Sequence, residues 1–222
     1  MLKTKNLTKK FDQRSIFENL NLTFEAGKAY ALIGPSGSGK TTLLNILGHL
    51  EKVDGGDVLY EGKSIFKIKS QEFFRDDLGY LFQNFGLLDS MTISDNLDLG
   101  LVGKKLNSSE KTAKKKEALA KVNLEYLDLN QKIYELSGGE AQRVALAKVI
   151  LKDPPLIMAD EPTAALDPLN GEEVMQLLLS LKNDRRTIII ATHNSSIWNQ
   201  ADEVIDISKL TKDKDGTMLL KY

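Results

Sequence analysis

The stretch Gly34-Pro35-Ser36-Gly37-Ser38-Gly39-Lys40-Thr41 has the pattern G-x-x-x-x-G-K-[ST]. It lies between an apolar run ending at Ile33 and a segment with helical spacing at Leu43, Leu44, Ile46 and Leu47. Glycines let a backbone wrap with its N–H groups pointing inward, and the N-terminus of the following helix adds partial positive charge. Such a loop is built for an anion. In that setting Lys40 reaches the β- and γ-phosphates of a nucleotide, and the Thr41 hydroxyl ligates Mg²⁺. A Gly/Ser surface loop that happens to hold a lysine is the plainer alternative, and the strand-to-helix context argues against it.

A second element with chemical potential is Leu156-Ile157-Met158-Ala159-Asp160-Glu161-Pro162. An apolar strand ending in two carboxylates sets Asp160 at the sheet edge, where it can bind Mg²⁺ directly or through water. Glu161 can then polarise an attacking water as general base, a role worth ~10²–10⁴-fold in rate. A solvated strand end would explain these carboxylates in isolation, but much less well beside a phosphate loop. A third element, Leu136-Ser137-Gly138-Gly139-Glu140, again sets Ser and Gly before a helix, Ala141 to Ile150. This is a second helix N-terminus suited to phosphate. One chain with one nucleotide pocket does not obviously need two. The economical arrangement is a dimer in which each chain's Ser137 loop closes on nucleotide held by the other. A Gly-rich helix cap without a ligand is the alternative for this pentapeptide taken alone.

These residues need a scaffold. Leu20 to Phe24 and Lys28 to Ile33 have strand character, and Val58 to Ile65 has the pattern of a small hairpin turning near Glu61-Gly62. From about Ser70 to Leu136 the spacing predicts a helical lobe, with Asn107, Ser108 or Ser109 capping a Lys-rich helix that reaches Val122. Leu156–Ala159 and Thr187–Thr192 return to buried strands, separated by an amphipathic helix through Val174, Leu177, Leu178 and Leu181. Apolar runs alternating with helices predict a parallel sheet covered on both faces. Glu203–Ile207, then Asp215-Gly216 before Met218–Leu220, predicts a closing pair of strands.

Composition sets bounds. The 222 residues carry 30 Lys+Arg against 31 Asp+Glu, a formal net charge of −1, which lacks the basic excess of a whole-surface nucleic-acid binder. The absence of cysteine excludes disulfides, thiol nucleophiles and Cys-ligated zinc. Met1 to Phe11 alternates lysine with isolated apolar residues, so no secretion signal is expected. No run of roughly 18 apolar residues could span a bilayer. A membrane role would need a partner.

In order and spacing, over essentially the whole chain, these motifs resemble the ATP-binding subunit of an ABC transporter. The resemblance implies an α/β fold: a P-loop NTPase (RecA-like) core with a mainly parallel sheet, an N-terminal antiparallel β subdomain and an inserted α-helical subdomain. It implies a single domain over 1–222, with 1–83 and 156–222 forming the core and its antiparallel part, and about 84–155 forming the helical part. ATP and Mg²⁺ are the implied ligands. Phosphate contacts are then expected along Gly34, Pro35, Ser36, Gly37, Ser38, Gly39, Lys40, Thr41 and Thr42, and at Ser137, Gly138 and Gly139. Phe11 is expected to stack on adenine, where the family more often has Tyr. Gln83, in Phe82-Gln83-Asn84, resembles the glutamine that touches metal and water and begins the loop facing the membrane partner. Asp167 resembles the loop that signals across the dimer, and His193 the γ-phosphate switch histidine. Asn194, Ala164, Ala141 and Lys148 depart from the family's common residues, and none of them is a phosphate, metal or base ligand.

The stretch from Phe82 to Leu97 and the compact length are similar to the MacB/LolD/FtsE group, especially to ATPases of lactococcin-972-type bacteriocin exporters. That likeness implies a homodimer paired with a separate integral-membrane permease, peripheral on the inner, cytoplasmic face of the bacterial cell membrane. It implies no nucleic-acid partner. The implied cargo is a peptide, bacteriocin, antimicrobial or lipoprotein moved outward. An FtsE-like role regulating cell-wall hydrolysis without transport is an alternative. A soluble ABC ATPase of DNA repair or translation is another, but those carry a coiled-coil insertion or a second cassette for which this chain has no room. The lysines from Lys104 to Lys121 have two readings: a solvated helix face, or contacts to anionic headgroups worth about 1 kcal/mol each.

Overall fold

The computed structural model describes residues 1–194, 198–212 and 218–220 of the chain. Alternating apolar and polar residues in the N-terminal part form β1 (Leu2–Phe11), β2 (Arg14–Leu20) and β3 (Thr23–Phe24), and the continuous apolar run forms β4 (Ala29–Ile33). The chain then enters α1 (Lys40–Leu47) and returns as the hairpin β5 (Gly55–Tyr60) and β6 (Lys63–Ser64). Next come α2 (Ser70–Asp76), β7 (Leu78–Leu81), α3 (Ile93–Asp98), α4 (Ser108–Ala120) and α5 (Gly138–Lys152). The remainder is β8 (Leu156–Asp160), α6 (Pro168–Ser180), β9 (Thr187–Ala191), β10 (Glu203–Asp206), β11 (Leu210–Lys212) and β12 (Met218–Leu220).

Among the described residues these strands form two sheets. One runs β11-β12-β2-β1-β5-β6, with β3 also on β1, and its β1 pairs are antiparallel. The other runs β10-β4-β9-β8-β7 and is parallel throughout. Successive side chains of a strand point to opposite faces, and β8 shows the result: Leu156 and Met158 enter one apolar cluster, Ile157 and Ala159 another. The first cluster joins the parallel sheet to Leu43, Leu44 and Leu47 of α1 and to Leu7, Phe17 and Phe24 of the antiparallel sheet. The second joins the sheet's other face to Leu97, Leu119, Val144, Leu146 and Leu178 on the later helices. The predicted α/β architecture, with its parallel core, antiparallel part and helical insertion, is the one observed.

Two expectations change in detail, and one falls outside the described residues. Leu78–Leu81, inside the stretch expected to be helical, is a buried strand parallel to Leu156–Ala159. Four residues are too few to show a period, and Gly79 is needed because a Cβ there would lie 2.8 Å from Pro154 and 2.9 Å from Val149. Glu203–Asp206 does not close on Met218–Leu220; it extends the parallel sheet beside β4, and β11 is the antiparallel partner of β12. The expected Asp215-Gly216 turn lies outside the described residues.

The lysine-rich segment is also less uniform than either of its readings. Asn107 caps α4 in a reciprocal box with Glu110. Lys115 is buried, 2.8 Å from the Ser94 hydroxyl and 2.7 Å from Asp98, and Lys104 donates to the Leu151 carbonyl at 2.6 Å. Lys115 ties α4 to α3, and Lys104 ties the loop before α4 to α5.

Candidate active site

The turn from β4 into α1 carries Gly39 as helix cap at φ 102. A Cβ at this position would lie 2.7 Å from Ile16 and 2.9 Å from Phe17, so both the left-handed backbone and the close approach of β2 require glycine. The Lys40 side chain is buried and curls back over the loop, donating to the carbonyls of Gly34 at 2.9 Å and Pro35 at 3.2 Å. An ammonium held only by neutral carbonyls is ready for an anion. The Ser38 hydroxyl is buried with no partner in the loop interior, which suits it to accept a donor or donate to a ligand.

One residue further along α1, Thr41 Oγ1 donates to Asp160 Oδ1 at 3.0 Å. This bond joins the phosphate loop to the end of β8. Burial pushes the Asp160 carboxyl above the ordinary aspartate range; the Thr41 hydrogen bond opposes the shift, the Glu161 charge adds to it, and Lys40 opposes it. Glu161 follows at φ 45, a left-handed conformation uncommon for a side-chain-bearing residue. Its N–H donates to the Ala191 carbonyl at 2.9 Å, and its Oε2 lies 2.9 Å from His193 Nδ1. The glutamate side chain is 16% exposed and the histidine 69%, so the pair has one member in the protein and one in the open.

Lys40, Thr41, Glu161 and His193 share one cleft of about 650 Å³ with Phe11, Ser36, Gly37, Thr42 and Gln83. Phe11 stands at the rim, 46% exposed, with the Lys9 ammonium 4.7 Å from its ring centroid. A second cavity of about 720 Å³ adjoins the cleft, lined by Leu50, Tyr80, Phe82, Phe85 and Asp160. Gln83 and Ala164 line both.

The remaining predicted site residues lie elsewhere. Ser137 caps α5, its Oγ accepting from the Glu140 N–H at 3.3 Å and donating to Glu140 Oε2 at 2.7 Å. Asp167 caps α6, accepting from the N–H groups of Leu169 and Asn170 at 3.2 Å. Arg143 bridges the two helices, reaching Asn170 at 3.0 Å and Glu173 at 2.9 Å. None of Ser137, Gly138, Gly139 and Asp167 lines the cleft. Gly34 and Pro35 contribute carbonyls to Lys40 rather than walls, and Asp160 reaches the cleft through Thr41. Two further residues, Lys9 against the Phe11 ring and Arg14 in the cleft wall, carried no motif. Alternation along β1 puts Lys9 beside Phe11, but Arg14 joins the site only through strand pairing.

The donors available around Thr41 are a hydroxyl, the Asp160 carboxylate and the Gln83 amide, all oxygen. That set suits Mg²⁺, which keeps water and phosphate ligands and takes one or two carboxylates from a protein. No group of three or more acidic or histidine side chains able to hold a metal occurs among the described residues, so a cation here would rely on the nucleotide's own oxygens.

A wrapped glycine loop feeding a helix, joined through a threonine to a strand that ends in a carboxylate–histidine pair, defines a P-loop nucleotide hydrolase. The chain belongs to the ABC transporter family, whose model matches residues 17–164. It is 37% identical over 216 residues to the uncharacterized ABC transporter ATP-binding protein MJ0796 of Methanocaldococcus jannaschii, covering 92% of each chain. It is 36% identical over 222 residues to the macrolide export ATP-binding/permease protein MacB of Campylobacter jejuni, covering 99% of this chain and 34% of MacB. The fold matches the dimeric MJ0796 cassette in a post-hydrolysis state with ADP and Pi at a TM-score of 0.84 and 35% identity, covering 93% of this chain and 94% of that one. The chain is thus an ABC-type ATPase of the group that contains the MacB cassettes.

Proposed function

We propose that two copies of this chain close on two molecules of Mg²⁺·ATP, and that opening after hydrolysis drives a separate integral-membrane permease. The observation that carries this reading is the Thr41–Asp160 hydrogen bond of 3.0 Å, which links the phosphate loop to the strand presenting Glu161 and His193. Lys40 exchanges its two carbonyl partners for β- and γ-phosphate oxygens, and Phe11 takes the adenine. Thr41, Asp160 and Gln83 hold Mg²⁺, whose charge, once bound, offsets that of the phosphates. Glu161 accepts a proton from water as the water oxygen attacks the γ-phosphorus and the bond to the bridging oxygen breaks, giving ADP and inorganic phosphate. His193 holds the Glu161 carboxylate in place and faces the γ-phosphate.

Ser137, Gly138 and Gly139 lie outside their own chain's cleft, which supports their closing on a second copy's nucleotide, with Asp167 at the same interface. Residues 1–83 and 156–222 then act as the catalytic unit, and about 84–155 as the helical unit that moves with the Ser137 loop. The cavity walled by Leu50, Phe82 and Phe85 is the seat for the permease. No helix among the described residues is long and apolar enough to cross a membrane. We assign the chain to the cytoplasmic face of the cell membrane through that partner, without a nucleic-acid role. The likeness to a macrolide export protein supports outward movement, and the proposed cargo is a peptide, bacteriocin, antimicrobial or lipoprotein.

Purification of the tagged chain from its own membranes, with identification of the bound protein, tests the assignment. A polytopic permease is expected. Recovery of a cell-division or cell-wall enzyme instead, or of no membrane protein, would overturn it.

A further inference from the structure

We infer that Arg14 is a nucleotide-binding residue whose guanidinium takes the α-phosphate, between the base at Phe11 and the terminal phosphates at Lys40. This rests on the reading of the cleft as an ATP site. The hairpin of β1 and β2 pairs Phe11 directly with Arg14 across the two-residue turn Asp12-Gln13, with Asp12 at φ 50. Residues directly opposite in an antiparallel pair project from the same face, so ring and guanidinium leave the hairpin together. Arg14 Nη2 donates to the Gly37 carbonyl at 3.0 Å, and both residues line the cleft. The guanidinium therefore spans the interval from the base-stacking ring to the phosphate loop.

The chemistry of that interval selects the ligand group. The part of a nucleoside triphosphate that falls between the base and the β-phosphate is the ribose and the α-phosphate, and only the latter is anionic. Of five guanidinium N–H donors, the Gly37 carbonyl uses one. The rest can make charge-assisted bonds to a phosphate, for which arginine's planar fork is suited. The other cation lining the cleft, Lys40, is engaged at the opposite end of the loop by Gly34 and Pro35.

ATP and ADP affinities of the whole chain, measured by titration calorimetry for wild type, Arg14→Gln, Arg14→Lys, Phe11→Ala and the Phe11→Ala/Arg14→Gln pair, test the inference. Arg14→Gln should weaken ATP and ADP by the same factor, roughly tenfold, as expected for loss of a charge-assisted contact to a phosphate both ligands share. Arg14→Lys should keep part of the affinity. The loss should persist in the Phe11→Ala background. Unchanged affinity in Arg14→Gln overturns the inference, and a loss confined to ATP places the contact at the γ-phosphate instead. A loss that vanishes without Phe11 reduces Arg14 to a support for the ring. Failure of the wild-type chain to bind ATP at all would strike the ATP-site reading itself. Arg14 is exposed, so the ligand-free variants should melt with wild type.

Discussion

His193 Nδ1 lies 2.9 Å from Glu161 Oε2, and the two residues reach that contact from just beyond the ends of neighbouring parallel strands. The register that sets Asp160 opposite Ala191 fixes the pair, and the Glu161 N–H to Ala191 carbonyl bond locks it. Glu161 and His193 are thus held by the same sheet that anchors the phosphate loop.

Glu161→Gln should keep ATP affinity near wild type, because Lys40, Thr41 and Asp160 are untouched, while turnover falls by roughly 10²-fold or more. Nucleotide binding and phosphate release, measured on the same preparation, separate the two. Near-normal hydrolysis would reject Glu161 as the base.

Asp160 yields a stability prediction. A carboxyl whose folded-state pKa lies above its unfolded one favours the fold while protonated. That contribution is complete below the ordinary aspartate value of about 3.9 and is lost as pH rises through the raised value. Above that raised value the protein bears the cost of a buried charge. Asp160→Asn should raise its melting temperature by roughly 2–4 °C, for relief of about 1 kcal/mol, and abolish the enhancement of ATP binding by Mg²⁺. A lower melting temperature would mean that neighbouring charges already compensate the carboxylate.

Composite sites can be tested by mixing. Lys40→Ala damages the phosphate loop, and Ser137→Arg places bulk and charge on the α5 cap. Heterodimers of the two variants hold one intact composite site and one doubly damaged site, so the mixture should hydrolyse ATP faster than either variant alone. No gain on mixing, together with normal nucleotide-driven association of Ser137→Arg, would place all ATP contacts within one chain.

Lys148 donates to the Gly86 carbonyl at 2.6 Å, in the loop that Gln83 begins. Burial, then the neighbouring Lys152 charge, pulls its pKa down to about 8. Between that value and the ordinary lysine value of about 10.4 the unfolded chain binds more protons than the folded one, so stability rises with pH across this window. Arginine stays charged throughout. Wild type should therefore gain stability relative to Lys148→Arg on going from about pH 8 to pH 10, by at most about 1.4 kcal/mol per pH unit. Urea denaturation at the two pH values reads this directly, and parallel profiles would rule it out.

What the sequence made legible was local. Gly34 to Thr41 announces its own turn, because glycine, lysine and threonine act there within one loop. The strand of Leu156 to Asp160 starts with the unbroken apolar run Leu156 to Ala159, and Ser137 and Asn107 cap helices that start beside them. What stayed hidden depends on distant partners. Leu78–Leu81 becomes a strand only because Leu156–Ala159 lies beside it. Lys115 looks like any other residue of its basic stretch until Ser94 and Asp98 close on it. Arg14 enters the cleft through a hairpin register and a contact to Gly37, 23 residues away, that no motif encodes.

Gln83 stands in the wall shared by the nucleotide cleft and the cavity beside it. If seating a partner in that cavity shifts Gln83, ATP affinity changes by some factor. Thermodynamic linkage then requires ATP to change the partner's affinity by the same factor. The strength with which such a partner grips this chain and the strength with which the chain grips ATP would then be two measurements of a single coupling free energy.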